Sequence, residues 1–121
     1  MAEQQNQQVS QDYLAVSVTA TTTAQNLATM IESKLGLATG SLKRAWREMT
    51  IQVDPEVNPS ATVRMGNSNV GSTVGGVVQK GVSLVGGSDT TRSVFNNVSI
   101  ALRYLQASTG TAVVNVELSQ Q

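Results

Sequence analysis

Hydrophobic residues recur at every second position along much of this chain. Met49, Ile51 and Val53 alternate with Thr50, Gln52 and Asp54, the period of a strand with one face in a core and one in water. Asp54-Pro55 ends that run, because proline has no N–H for a ladder and fixes its φ. Pro59 keeps the connection stiff before Thr62, Val63 and Met65 resume an extended pattern. Upstream, residues 13–21 set Leu14, Val16, Val18 and Ala20 on one face and Ala15, Ser17, Thr19 and Thr21 on the other. Near the far end, runs 98–106 and 111–118 flank Ala107-Ser108-Thr109-Gly110, a turn with glycine where φ > 0 is tolerated. In the first run Val98, Ile100, Leu102 and Tyr104 share a face. The two runs are expected to pair as an antiparallel hairpin.

One stretch has helical spacing instead. Ala24, Leu27, Ala28, Ile31 and Leu35 fall on one stripe, which predicts a short amphipathic helix over 24–35. Thr22-Thr23-Ala24-Gln25 fits a capping box, Lys34 suits the dipole of the last turn, and Gly36 supplies a left-handed stop. Such a helix is expected to plug an open end of a sheet sandwich. Residues 66–69 read as a turn, 70–78 as extended chain, 79–81 as a turn and 82–85 as a short strand. Gly75-Gly76 and Gly86-Gly87 mark bends, and 89–97 reads as a polar loop around Val94 and Phe95. Roughly seven or eight short strands with one helix predict a mainly β fold, an antiparallel β-sandwich or jelly-roll-like barrel. It is expected to occupy residues 13–121 as a single domain, behind a polar, Gln-rich arm at 1–12.

Composition narrows the chemistry. The chain has no cysteine and no histidine, which removes thiolate and imidazole catalysis and most transition-metal sites. Charged residues are 13% and balance to zero, against a usual share of about 25%. A nucleic-acid binder carries a basic excess with interleaved aromatics; here aromatics are 3%, so no nucleic-acid partner is expected. A surface of Ser, Thr, Asn and Gln repels its own copies only weakly and suits permanent assembly. The opening residues offer neither a basic n-region nor an apolar h-region, and no run has the length of a membrane span. Synthesis as a soluble protein in the cytoplasm, with no membrane partner, is the expectation.

Candidate sites are few. Lys43, Arg44 and Arg47 surround Trp46, the only tryptophan. One reading is a contact patch, since Trp and Arg anchor interfaces. The other is a Trp at a sheet edge whose ring covers the core while basic stems snorkel beside it. Asp54 and Glu56 flank Pro55 and, with Asp89, suggest a hard-cation site or a carboxylate pair. Asp-Pro turns have purely local reasons to exist, and no calcium loop, nucleotide loop or activated serine motif is present. No enzyme activity, cofactor or metal is expected. Asn97-Val98-Ser99 matches a glycosylation sequon by chance.

The order of three segments carries a resemblance. Thr50-Ile51-Gln52-Val53-Asp54-Pro55 is followed by Thr62-Val63-Arg64-Met65-Gly66-Asn67-Ser68-Asn69-Val70, then by Gly75-Gly76-Val77-Val78-Gln79-Lys80-Gly81-Val82-Ser83-Leu84. This resembles small tailed-phage virion proteins, in which an "IQ-x-DP" strand precedes a "V-x-V-G-x-S-x-V" strand and a "G-x-x-L-x-x-G-x-S-L" segment. Residues 104–116 are similar to their last hairpin and 16–25 to their first strand, so the likeness spans most of 13–118. The chain departs from it at Arg64-Met65-Gly66-Asn67 and over 87–97. The resemblance implies a jelly-roll-like virion component of the head decoration (cement) or head-fibre type.

On that footing the expected function is binding the outer shell of a phage capsid and stabilising it, after assembly in the host cytoplasm. The partners would be the major capsid protein or other virion proteins, and further copies of the chain, with a trimer favoured. Gln4, Gln5, Gln7 and Gln8 of the arm, with Trp46 and Arg47, are the expected contacts. The alternative is a receptor- or glycan-binding head-fibre or tail adhesin that uses its Gly/Asn/Ser-rich loops.

Overall fold

The computed structural model describes residues 13–54, 60–71, 73–81 and 92–120. Within them lie eight strands: β1 (Tyr13–Ala20), β2 (Gln25–Asn26), β3 (Ala45–Val53), β4 (Val63–Gly66), β5 (Gly76–Val77), β6 (Ser93–Ser99), β7 (Tyr104–Ala107) and β8 (Ala112–Ser119). One helix, α1 (Leu27–Leu35), follows β2, and a 3-10 turn (Ile100–Leu102) separates β6 from β7. The fold is mainly β, as the alternating pattern predicts.

The strands form two four-stranded sheets, in the orders β1-β8-β3-β6 and β2-β7-β4-β5. The antiparallel pairs follow one rule: first with eighth, second with seventh, third with sixth, fourth with fifth. A long hairpin wrapped on itself gives this order once β8 also pairs with β3 and β7 with β4. That wrapping is a jelly roll built as a sandwich of two sheets. The longest ladder joins β1 to β8 from Tyr13↔Ser119 to Ala20↔Ala112.

The core lies between the sheets. Met49, Ile51 and Val53 of β3 and Val114, Val116 and Leu118 of β8 are fully buried, with Val63, Met65, Leu105 and Ala107 facing them from the second sheet. The alternation seen in β3 and β8 is therefore the core face itself. Gly110 takes φ +58 in the turn before β8, as that turn requires.

Several expectations give way, for local reasons. The helix begins at Leu27, not at 24, and its cap is Asn26 instead of a capping box at 22–25. Gln25 and Asn26 are held as strand by pairing with Leu105 and Tyr104. Asn26 Oδ1 accepts from Thr29 N at 3.1 Å while its Nδ2 donates to Ala101 O at 2.8 Å. The C-terminus matches expectation: Gly36 at φ +72 donates to Ser33 O, and Lys34 sits in the last turn. The helix packs on β1, β2 and the 3-10 turn, so it lies against an edge strand of each sheet.

The run 98–106 is not one strand. Val98 and Ile100 are buried, Leu102 is 70% exposed, and Leu105 and Ala107 are buried. The 3-10 turn shifts the phase by one residue and passes the chain to the other sheet. The expected hairpin with 111–118 is overturned accordingly: β7 pairs with β2 and β4, and β8 with β1 and β3. Residues 93–97, read as loop, form most of β6. The extended stretch 70–78 is reduced to β5, with Val70 buried over an Asx turn in which Asn69 N donates to Asn67 Oδ1 at 2.8 Å. The expected strand at 82–85 lies outside the described residues.

Candidate functional site

β3 and β6 change phase together. Trp46 faces the core, and so do Met49, Ile51 and Val53, which leaves Arg47 and Glu48 both outside. Opposite them Val98 is buried while Asn96 and Asn97 are both exposed. The register stays constant, Trp46↔Val98 and Glu48↔Asn96, because both strands accommodate the extra outward residue at the same level. Asn97 adopts φ +53 there, a left-handed conformation that asparagine tolerates better than most side chains.

The outcome is a polar recess of about 590 Å³ lined by Ala45, Trp46, Arg47, Asn96, Asn97 and Gln120. Gln120 Nε2 donates to Ala45 O at 3.2 Å and anchors one wall. Arg47 is thus placed on a contact-capable surface together with Asn96, Asn97 and Gln120, none of these three an expected contact. The signal of Asn96 and Asn97 was hidden, because 93–97 reads as loop when the β6 alternation is broken at 96–97.

Trp46 has a different place. Its side chain is 0% exposed and belongs to the core cluster, on a strand flanked on both sides by β8 and β6. The expectation that Trp46 makes outside contacts is corrected by that burial, and the other reading, a ring that covers the core, is borne out. Arg44 lies 4.5 Å from the ring centroid, the cation–π geometry that the local basic cluster suggests. The indole N–H meets no hydrogen-bond acceptor among the described residues.

Next to the recess, the outer face of the first sheet forms rows set by register. Tyr13, Ser119, Glu48 and Asn96 lie level; so do Ala15, Glu117, Thr50 and Val94; so do Ser17, Asn115 and Gln52. Ser17 Oγ donates to Asn115 Oδ1 at 2.6 Å across the strands. Most of this face is small and uncharged. Tyr13 hydrogen-bonds Glu117, and that bond, with some burial and the carboxylate's negative charge, raises the phenol above its usual value near 10.

Of the expected carboxylate cluster only Asp54 lies within the described residues. Asp54 closes β3 with its N–H on Val113 O at 2.8 Å, while Glu56 and Asp89 lie outside them. No group of three or more metal-ligating side chains occurs among the described residues. Nor is any helix among them long and apolar enough to cross a membrane. Gln4, Gln5, Gln7 and Gln8 also lie outside the described residues.

One buried charge went unanticipated. Glu32 is 4% exposed, and its Oε2 accepts from Gly40 N at 3.1 Å and Leu42 N at 2.9 Å. It ties α1 to the loop that enters β3. Its role is structural positioning of that loop, upstream of Trp46 and Arg47. Compared with known proteins, the chain matches no family model, no curated protein sequence and no solved structure.

Proposed function

We propose that this chain is a structural protein of a phage virion, a decoration or cement protein that binds the outside of the shell and stabilises it. The observation that carries the reading is the jelly-roll strand order joined to a broad, mostly uncharged outer face on the first sheet. Capsid and lectin domains share this wrapping, and fold alone does not decide between them. The outer face is better suited to a flat protein surface than to a small ligand: most of its side chains are uncharged, and Ser17 is tied to Asn115 and Tyr13 to Glu117 across the strands. Copies linked to one another and to the shell gain avidity, so modest single contacts become lasting ones. The reading assigns the chain no catalytic step. Arg47 with Asn96, Asn97 and Gln120, and the arm residues Gln4, Gln5, Gln7 and Gln8, are the contacts proposed.

The test is to incubate purified protein with shells of the cognate particle stripped of accessory proteins and to image them. Regular added density on the outer surface supports the reading; bare shells at saturating protein sink it. The second reading, a glycan-binding adhesin, rests on the polar recess beside Arg47 and on the lectin use of the same fold. Binding on a glycan array without shell binding would favour it.

A further inference from the structure

A sheet edge is a row of unpaired N–H and C=O groups, and natural proteins blunt such edges with shortness, bulges, charge or proline. Three of the four edges here are blunted. β2 and β5 are two residues long, and β6 carries the left-handed Asn97 and a broken alternation. β1 is the exception. It is eight residues of regular strand, Tyr13-Leu14-Ala15-Val16-Ser17-Val18-Thr19-Ala20, with no charge, proline or glycine, and among the described residues it has a strand neighbour only on the β8 side.

Two further observations lie along that edge. Val16 points to the core side with Leu14 and Val18, yet it stays only half-buried while its ladder partner Val116 is fully buried. The core is therefore left open at the middle of β1. Beside Val18 and Thr19 runs a groove of about 510 Å³, walled by Gln25, Asn26, Thr29, Met30, Ser33 and Lys34. In its wall Gln25 Oε1 is buried and has no hydrogen-bond partner among the described residues, an acceptor placed for an incoming N–H.

We infer that β1 pairs with the β1 strand of a second copy, antiparallel about a twofold axis, and so joins two four-stranded sheets into one of eight strands. An antiparallel edge is complementary to itself in its hydrogen-bonding groups. A twofold normal to the sheet keeps both core faces on one side only if even positions meet even positions. Centring on Val16 sets Val16 against Val16 and Leu14 against Val18, which continues the apolar row. On the other face Ala15 meets Ser17 and Tyr13 meets Thr19, with no charge opposed. The groove gives room for the incoming Tyr13-Leu14 end. The occupant is thus a copy of this chain in a pair, in place of the trimer expected from the sequence, whether or not the pair sits on a shell.

The natural absence of cysteine makes a clean test. Residues directly opposite in an antiparallel pair have Cα atoms about 4.5–5.5 Å apart, within disulfide reach, whereas diagonal neighbours are too far. Val16→Cys under mild oxidation is expected to give mostly covalent dimer. Val94→Cys, on the exposed far edge strand, reports random collision and is expected to stay monomeric on denaturing gels. Sedimentation of the unmodified protein at roughly 100 μM, where a micromolar association is nearly complete, is expected to show a dimer. A monomer or trimer in sedimentation overturns the inference, and so does a Val16→Cys protein that cross-links no better than Val94→Cys.

Discussion

Glu32 Oε2 accepts the backbone N–H of Leu42 at 2.9 Å, ten residues along the chain. The same oxygen takes the N–H of Gly40 at 3.1 Å, so one buried carboxylate organises the turn between α1 and β3. Removing it leaves two amide donors without that acceptor, Leu42's in a buried setting and Gly40's in a part-buried one. Glu32→Ala is expected to cost about 3 kcal/mol, and Glu32→Gln about 1 kcal/mol because one carbonyl acceptor remains. Urea unfolding monitored by circular dichroism measures both; equal losses would contradict the acceptor role.

Trp46 is the fluorescent reporter of the core. With its ring fully buried, its emission is expected to be blue-shifted and insensitive to iodide in the native state. Trp46→Ala should cost about 3–5 kcal/mol. Trp46→Phe should cost clearly less, since it removes an indole N–H that meets no acceptor among the described residues. Arg47→Ala, at an exposed position, is expected to stay within about 0.5 kcal/mol of the parent. Strong iodide quenching of native Trp46 would place the ring at the surface and reverse this assignment.

Gly75 and Gly36 both hold positive φ, at +116 and +72, but their surroundings differ. A Cβ on Gly75 would meet Val70 Cγ2 at 2.8 Å and Met65 O at 3.0 Å, whereas one on Gly36 meets nothing within 4 Å. Gly36→Ala therefore pays only for a left-handed alanine, about 1 kcal/mol. Gly75→Ala adds a clash with the backbone of β4 and is expected to cost about 2–3 kcal/mol. Thermal melts of the two variants should rank in that order.

The Tyr13 phenol is held neutral by its hydrogen bond to Glu117, with burial and the carboxylate charge acting in the same direction. Its folded pKa lies above the unfolded value near 10, so the neutral form is the one the fold prefers. That stabilisation is complete below about pH 10 and fades as the pH rises through the raised folded pKa. Tyr13→Phe should therefore lose less stability than the parent over that alkaline window. Stability curves of the two proteins that stay parallel through it would remove Tyr13 as the cause.

Legibility in the sequence tracked the constancy of phase. In β1, in β8 and in β3 from Met49 onward, every second residue is buried or nearly so, and these strands are plain in the text of the chain. The phase slips at Arg47-Glu48, at Asn96-Asn97 and at the 3-10 turn of Ile100–Leu102 concealed β6 and merged it with β7. The hairpin expected near the end failed for a topological reason. In a jelly roll consecutive strands mostly change sheets, so neighbours in sequence such as β7 and β8 are not neighbours in the ladder. Of the site, Arg47 was visible through its charge. Asn96 and Asn97 were not, since polar residues in an apparent loop carry no periodic mark, and Gln120 lies past the last alternating run. Glu32 was illegible because its partners are backbone amides, which every residue possesses.

The eighth strand lies between the first and the third. A ribosome releases β1 and β3 long before β8 exists, and until then neither has its central neighbour. The first sheet must hold a gap one strand wide, or stay unformed, until Ala112–Ser119 is available. Such dependence on distant sequence makes acquisition of structure slow and all-or-none. A chain cut short before Ala112 would thus lose the middle of a sheet, not its margin, and should accumulate as unassembled, protease-sensitive material.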